Sequence, residues 1–311
     1  MKSRLLGALV GALLLAAAAA PQAPASGPER RVFAVSVVDA YGNPVPGLTA
    51  ANFLGEYRGQ PVRILSAAED LHPRRIVVLV DTSSSMQRGK AWSLAWTAAK
   101  DVVMALAPDN ELVLMTVAEK VYGHAVFSRH SPAELSELVA QAEATAKTSG
   151  RANTALFDGM IKALHGFPPS GFADVLWVIS DMADRSSLAD GRDVELELAR
   201  SHVRAYVTWL QSEEEWRRLR QGNLVRKRLA GASGGLSFDL KGDKPERNTA
   251  LVGSLCDSIR RVYRVEVEFP RSIDKAREWE LEVVGADGKK LKDVVVAYPR
   301  LLPLTEPAPR K

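Results

Sequence analysis

The residues Ile76-Val-Val-Leu-Val-Asp-Thr-Ser-Ser-Ser-Met86 carry the strongest indication of the fold of this chain. It begins with an apolar run, mostly of β-branched residues, which predicts a strand buried on both faces, as in parallel sheets. The run ends directly in Asp81 and three serines close behind it. Ligands of open α/β sheets bind at the carboxyl ends of the strands, so these polar groups are expected at the ligand-binding edge.

A second carboxylate follows a second strand of the same kind. Residues 175–180 form another apolar run, and Asp181 comes directly after it. If the two strands are neighbours, two like charges meet in a crevice that excludes part of the solvent, which is unfavourable unless a cation compensates them. The sequence therefore predicts a cation next to Asp81 and Asp181.

Neutral oxygen ligands for such a cation are available nearby. The hydroxyl groups of Ser83, Ser85 and Thr154 complete a set made of oxygen donors alone. Such a set suits Mg²⁺, Ca²⁺ or Mn²⁺ and argues against zinc or copper. The alternative is that Asp81 and Asp181 are only strand-end caps and Thr154 only a helix cap.

The rest of the central region alternates strands with helices. Repeated units of this kind predict an α/β fold with a doubly wound, mostly parallel sheet and helices on both faces. A Ser-Pro-Ala-Glu capping box at 131–134 marks one helix start. The predicted strands are 76–80, 112–117, 121–127, 175–180, 203–209 and 236–238, and the predicted helices are 89–106, 131–146, 154–165, 194–201, a charged helix after 210 and 246–262.

Both ends of this region carry short strand patterns instead. Residues 31–66 and 263–298 alternate apolar and polar side chains between turns, and 279–284 with 294–298 suggest a hairpin. Neither piece has enough strands to be stable alone. We therefore expect the two pieces to pair into one small β module with the α/β domain inserted in it.

The amino-acid composition and the N-terminal segment indicate which class of protein this is. The chain has 311 residues, 46% hydrophobic and 25% charged, which is typical of a globular protein with a sizeable core. Lys2 and Arg4 precede an apolar run at 5–19, which indicates a secretory signal peptide. The run is short of the roughly 20 residues of a spanning helix, so an uncleaved anchor is the lesser alternative. The expected division is a signal peptide 1–25, an N-terminal β module 26–72, an α/β domain 73–262, C-terminal strands 263–301 and a disordered tail 302–311.

Charge and cysteine content narrow the expected location and partners. The leader has no cysteine to lipidate and no later stretch spans a membrane, so a secreted or periplasmic protein without stable membrane insertion is expected. Cys256 is the only cysteine, which excludes an intramolecular disulfide; its helical pattern predicts burial. Without Lys2 and Arg4 the mature chain is nearly neutral, and its basic stretch 217–228 is typical of a solvated helix, so no nucleic-acid partner is expected.

These motifs resemble a known family. Asp-x-Ser-x-Ser at 81–85, Thr154 in Asn-Thr-Ala-Leu-Phe-Asp and Asp181 in Ile-Ser-Asp-Met-Ala-Asp are similar to the five elements of the metal-ion-dependent adhesion site of von Willebrand factor type A domains, and they stand in the family's order. The resemblance covers residues 73–262. A narrower one, carried by residues 37–53, is to exported von Willebrand A-related proteins of acidobacteria.

The resemblance implies a role for each residue. Ser83, Ser85 and, in the ligand-competent state, Thr154 would contact a divalent cation such as Mg²⁺, and Asp81 and Asp181 would hold it directly or through water. One coordination position would be left for an acidic side chain of a protein partner. The family often has glycine where this chain has Met182, which is expected to stiffen that loop.

Two further aspartates lie near these motifs, and the sequence does not place them among the metal ligands. Asp184 is either a carboxylate behind the metal ligands or a helix-cap or turn residue. Asp158 is expected on a helix surface.

The expected function is metal-dependent protein binding in the cell envelope or outside the cell, and not catalysis. The sequence has no Gly-x-Ser-x-Gly elbow, no His-Glu-x-x-His motif and no Walker loop. Two alternatives remain: a metal-assisted hydrolase that uses the same oxygens, and a structural envelope component whose metal site is vestigial.

Overall fold

A computed structural model describes residues 27–127, 131–148, 153–166, 171–210, 216–242 and 244–304. The expected signal peptide and residues 305–311 of the expected tail lie outside this part of the chain. The strands are β1 Glu29–Asp39, β2 Phe53–Tyr57, β3 Gln60–Asp70, β4 Arg75–Asp81, β5 Glu111–Val117, β6 Val121–Phe127, β7 Val175–Ser180, β8 Arg204–Leu210, β9 Ser237–Leu240, β10 Val262–Phe269, β11 Arg277–Glu278, β12 Glu280–Val283, β13 Val294–Ala297 and β14 Leu301–Leu302. The helices are α1 Ala91–Leu106, α2 Pro132–Thr148, α3 Leu156–His165, α4 Gly191–Ser201, α5 Trp216–Ser233 and α6 Pro245–Arg260, with a 3₁₀ turn at Ala50–Asn52.

The central sheet has six strands in the order β6-β5-β4-β7-β8-β9. All neighbours are parallel except β5 and β6, which pair antiparallel. Helices α1, α2 and α6 pack on one face, and α3, α4 and α5 on the other. This confirms the predicted doubly wound α/β fold.

Strand β4 shows why residues 76–80 are all apolar and do not alternate with polar residues. Val78 faces the α1 side of the sheet and Val77 the α3 side, and both are buried. A strand in the middle of a two-sided sheet has no solvent face, so every position favours an apolar residue.

The terminal segments pair into a second six-stranded sheet, ordered β12-β2-β3-β10-β1-β13 and antiparallel throughout. Its core is aromatic, with Phe33, Phe269 and Trp279 in mutual ring contact. The predicted pairing of the two ends is therefore confirmed.

The predicted hairpin between 279–284 and 294–298 forms only next to its turn, where Val284 and Lys290 make an isolated antiparallel bridge, and the predicted pairing of the two strands is wrong. Strands β12 and β13 lie at opposite positions in the sheet order, and β13 pairs with β1 instead. The last backbone contact before the two segments separate is the hydrogen bond from Leu291 N–H to the Val283 carbonyl, at 2.9 Å. Two residues further along, Asp293 has a φ of 60°, and the chain turns away from β12 there. Leu281 N–H consequently donates to the Tyr298 hydroxyl at 2.9 Å and not to a strand partner.

The chain remains ordered slightly further than expected at its C-terminal end. Leu302 was expected to begin a disordered tail, but it lies in β14, pairs with Arg277 and is fully buried. Its apolar side chain joins the aromatic core of the terminal sheet.

A buried arginine links the two sheets. Arg204 in β8 is fully buried and donates to the Ser36 hydroxyl of β1 at 3.0 Å, and Ser36 donates to the Ser258 carbonyl of α6 at 3.2 Å. Cys256, two residues before Ser258, is buried in the core, as its sequence pattern predicted. Across the described residues, no helix is long and apolar enough to cross a membrane.

The junction between the sheets gives a prediction about pH and stability. Burial by itself raises the pKa of Asp70, but the hydrogen bond and charge of Arg74 and the bonds from His72 outweigh it and lower that pKa from 3.8 to about 2. A carboxyl group with a lowered pKa stabilises the fold above its unfolded pKa, and this contribution is lost as pH falls through the folded value. At neutral pH it amounts to about 2 kcal/mol.

Asp70→Asn is therefore expected to lower the free energy of unfolding by about 2 kcal/mol at pH 7, with the difference from wild type shrinking toward zero near pH 2. Urea unfolding at a series of pH values measures it. The matched control is Asp109→Asn, whose side chain is 70% exposed and 3.9 Å from Arg260, and for which we expect little change. A constant difference for Asp70→Asn across this pH range would contradict the assignment.

Candidate functional site

Two adjacent parallel strands bring the predicted carboxylates together. Val80 in β4 is the register partner of Ile179 in β7, so the residues that follow these strands emerge side by side. Asp81 is 0% exposed and Asp181 is 3% exposed. Ser180 Oγ donates to Asp81 Oδ2 at 2.6 Å, a contact across the two strand ends that the sequence analysis did not identify.

The serines after β4 fold back over Asp81. Ser83 N–H donates to Asp81 Oδ1 at 2.9 Å, and the hydroxyl oxygens of Ser83 and Ser85 lie 3.2 Å apart. Ser83 and Ser85 are 1% and 4% exposed. Thr82 N–H donates to the Val117 carbonyl at the end of β5, which fixes the start of the loop. Hydroxyl groups and a carboxylate therefore share one buried loop.

Thr154 lies between the loops that follow β5 and β7. Its carbonyl accepts the backbone N–H groups of Arg185 and Ser186, at 2.9 Å and 3.0 Å. The next residue, Ala155, donates its N–H to the Ala118 carbonyl at 2.8 Å. Thr154 is 2% exposed, so all five predicted site residues are buried at the carboxyl edge of the sheet. Their ligation of a metal stays a prediction.

Electrostatics at this edge favours a cation. Burial, followed by the negative charge of Asp181, raises the pKa of Asp81 to about 7. Both causes penalise the ionised carboxylate, and a positive ion beside the two groups would remove the penalty. The donor set is therefore electrostatically suited to a metal ion.

The chemistry of the donors limits which ion is suitable. In the described part of the chain, no group of three or more His, Cys, Asp or Glu side chains is placed to hold a metal. A metal at this edge must then rely on two carboxylates and on hydroxyl oxygens, the ligand type that Mg²⁺, Ca²⁺ and Mn²⁺ accept. The residues present fit such an ion.

The loop after Asp181 is tightly held around Met182. Met182 is 4% exposed and has a φ of 60°, a left-handed conformation that glycine adopts more easily. Trp209 Nε1 donates to the Asp181 carbonyl at 3.1 Å. A Cβ added at Gly222 of α5 would lie 3.2 Å from that carbonyl oxygen, so α5 packs closely on this loop. The departure from glycine at 182 is thus accommodated by a loop with little freedom.

The structure also assigns the two open aspartates. Asp184 Oδ1 accepts the N–H of Leu156 at 2.7 Å, so it caps helix α3 from a neighbouring loop. Asp158 does not simply face solvent from α3: its carboxylate accepts the N–H groups of Leu188 and Ala189 at 3.0 Å and 2.9 Å. Asp158 is only partly buried, which agrees with the expected position on the helix surface, but its bonds to Leu188 and Ala189, about thirty residues away, were not predicted.

Fold and site together define a class: a doubly wound α/β domain that gathers two buried carboxylates and three buried hydroxyl side chains at the carboxyl edge of its sheet. The chain matches no family model and no curated protein. Solved structures similar to it include von Willebrand factor type A proteins.

Three of these structures illustrate the range. A von Willebrand factor type A protein from Catenulispora acidiphila is 13% identical, with 92% of this chain and 76% of that chain covered and a TM-score of 0.44. An aerotolerance-related membrane protein from Bacteroides fragilis is 12% identical, with 60% and 98% covered and a TM-score of 0.44. Proximal thread matrix protein 1 of the mussel byssus, with a zinc-occupied MIDAS motif, is 16% identical, with 66% and 50% covered and a TM-score of 0.45. The narrower resemblance to acidobacterial proteins stays a prediction.

Proposed function

We propose that this chain is an exported protein that binds a divalent cation through Asp81, Ser83, Ser85, Thr154 and Asp181, and that it captures a protein partner through that cation. The single observation that supports it most is the burial of two carboxylates side by side with three hydroxyl side chains at one sheet edge. Export is inferred from the leader at 1–25, and cell fractionation of the full-length protein tests it.

The charges of the site favour capture of an acidic group. Both oxygens of Asp81 already accept hydrogen bonds, from Ser83 N–H and from Ser180 Oγ, which disperses part of its negative charge. Two carboxylates balance the charge of a divalent cation without exceeding it, and the hydroxyl ligands are neutral, so an open coordination position can still accept a carboxylate from outside. When bound, the cation supplies that electrophilic position, and the proposed partner group is the carboxylate of an aspartate or glutamate.

We propose Mg²⁺ as the resident ion, with Mn²⁺ or Ca²⁺ as substitutes, because hydroxyl and carboxylate oxygens are hard ligands. Isothermal titration with Mn²⁺ tests the site. Replacing both Ser83 and Ser85 by alanine is expected to weaken binding at least about 10-fold, the loss seen when groups around a metal are removed. Ser84→Ala, in the same loop but only partly buried, is the matched control and should bind normally. Equal affinities for all three proteins would contradict the proposal.

Partner capture is tested with the immobilised protein and an envelope extract, with Mg²⁺ or with EDTA. A partner retained only with Mg²⁺, and lost in the variant without Ser83 and Ser85, supports metal-dependent binding. If the partner is retained equally in EDTA and by the serine variant, the alternative of a structural component with a vestigial metal site is favoured.

We infer a binding module and not an enzyme. A metal-assisted hydrolase needs a general base beside the ion, and the hydroxyl groups beside Asp81 and Asp181 are those that the cation would use. Hydrolysis of chromogenic phosphate or ester substrates that requires Mn²⁺ and disappears in the serine variant would overturn this inference.

A further inference from the structure

The peptide unit between Asp181 and Met182 is held at both of its polar atoms. The Asp181 carbonyl accepts the indole N–H of Trp209 at 3.1 Å, and Met182 N–H donates to Ser180 Oγ at 2.8 Å. The Asp181 side chain is tied as well, because its Oδ1 accepts the N–H of Ala183 at 3.0 Å. The orientation of a predicted metal ligand is thus fixed through its backbone and through its carboxylate.

Met182 would not choose this peptide orientation by itself. It has a φ of 60°, the left-handed conformation that is unfavourable for a residue with a Cβ. A flip of the 181–182 peptide unit would bring that φ into the ordinary negative range, but it would break the bond from Trp209 and the bond to Ser180. These two bonds therefore hold a conformation that the local sequence disfavours.

Trp209 is itself held in place by a buried arginine of α5. The guanidinium carbon of Arg226 lies 4.5 Å from the centre of the Trp209 ring, within the range of a cation–π contact, and both residues are buried. Arg226 Nη1 lies 2.6 Å from Asp239 Oδ1, and its Nε and Nη2 donate to Asn223 Oδ1 at 2.9 Å and 2.6 Å. A guanidinium fixed by these partners restricts the ring that it covers.

These contacts cross the central sheet at one level. Trp209 in β8 is the register partner of Ser180 in β7 and of Asp239 in the edge strand β9. A connected series of contacts therefore runs from Asp239 through Arg226 and Trp209 to Asp181. Asp239 also compensates the charge of Arg226, so the guanidinium adds little repulsion to a cation beside Asp181.

We propose that Trp209, oriented by Arg226, is a positioning residue of the metal site. Its indole N–H keeps the 181–182 peptide unit, and with it the Asp181 carboxylate, in the orientation that holds the cation. Trp209 acts through the Asp181 carbonyl and is not itself a ligand. This rests on the proposed function, because it assigns a role toward the same cation.

The competing role for Trp209 is packing alone, in which its indole N–H only satisfies a buried carbonyl. The neighbouring strand β7 offers a matched case of that role. Trp177 is fully buried on the opposite face of the sheet and donates its indole N–H to the Thr208 hydroxyl at 2.8 Å, away from the Asp181 loop. Comparison of the two tryptophans separates positioning of a ligand from packing.

Trp209→Phe keeps an aromatic ring and removes the N–H donor. Isothermal titration is expected to show about 10-fold weaker Mn²⁺ binding, the loss typical when a hydrogen-bond partner behind a metal ligand is removed. The electron paramagnetic resonance spectrum of the bound Mn²⁺ should also change, because the orientation of one ligand is altered. Trp177→Phe is expected to lower stability toward urea in EDTA, and to keep the wild-type Mn²⁺ affinity and spectrum.

A second variant, Arg226→Gln, removes the charge over the Trp209 ring. It should weaken Mn²⁺ binding several-fold in the wild-type background and add little to Trp209→Phe, because both changes act on the same hydrogen bond. Arg228→Gln is its control: Arg228 lies on the same helix, pairs with Glu195 at 2.8 Å and should not influence the metal.

The results that overturn the proposal are distinct from a failure of the proposed function. Wild-type Mn²⁺ affinity in Trp209→Phe, or equal losses of affinity in Trp209→Phe and Trp177→Phe, would show that Trp209 only packs. Additive losses from Trp209→Phe and Arg226→Gln would overturn the part assigned to Arg226. If the wild-type protein itself does not bind Mn²⁺, the proposed function is the faulty step.

Discussion

Asp81→Asn is expected to lower the affinity for Mn²⁺ on the order of 100-fold or more, because groups behind a metal's ligands already contribute 10- to 100-fold. The same substitution should leave the metal-free protein at least as stable as wild type. Asp81 is fully buried and its pKa is raised by burial and by Asp181, so the charged carboxylate is unfavourable there without a cation. An amide keeps one oxygen for the Ser83 N–H and removes the repulsion.

Isothermal titration and thermal unfolding in EDTA measure the two effects together. Asp190→Asn is the control, because Asp190 caps α4 through the N–H groups of Arg192 and Asp193, and asparagine caps helices as well. A lower melting temperature for Asp81→Asn in EDTA, with unchanged Mn²⁺ affinity, would show that Asp81 is only a strand-end cap.

The second large effect is expected from Gly235→Ala. A Cβ at Gly235 would lie 2.0 Å from the Ala205 carbonyl oxygen. That oxygen is a backbone atom and a Cβ is fixed to its own backbone, so no side-chain rotation can relieve the clash. The turn before β9 is held against β8 at this point, since Val207 N–H donates to the Leu236 carbonyl at 2.9 Å. The methyl group must push the turn away from β8, which should cost about 3 kcal/mol.

Chemical denaturation and the melting temperature check this value; a loss of roughly 6 to 12 °C is expected for a domain of this size. Gly253→Ala is the matched control. Nothing lies within 4 Å of a Cβ at Gly253 in α6, and alanine is the better helix former by up to about 1 kcal/mol. Equal stability of the two variants would show that the turn at Gly235 adjusts freely.

Sequence alone was sufficient wherever a pattern is local. The apolar run before Asp81 predicted the central buried strand, and the Ser131 and Glu134 capping box marked a helix whose bonds are present, with Ser131 N–H donating to Glu134 at 2.7 Å. Hydrophobic periodicity and capping act within a few residues, so they are visible in one dimension. Short motifs at strand ends and a helix start likewise predicted five site residues, and the structure places all five buried at the carboxyl edge of the sheet, while their ligation of a metal stays a prediction.

Long-range contacts were beyond such patterns. Strand β13 was expected to pair with its sequence neighbour β12, but it pairs with β1, more than two hundred residues earlier. Asp158 and Asp184 each bind backbone N–H groups about thirty residues away, and no spacing rule links them.

Local patterns were therefore enough to predict the order of strands and helices, the doubly wound class and the polar residues at the carboxyl edge. Three features became visible only in the folded chain: which strands lie at the edges of the terminal sheet, which carboxylates bind neighbouring loops, and why Gly235 has no room for a side chain. Local propensity selects the helices and strands, whereas contacts between distant segments are fixed only when the whole core packs.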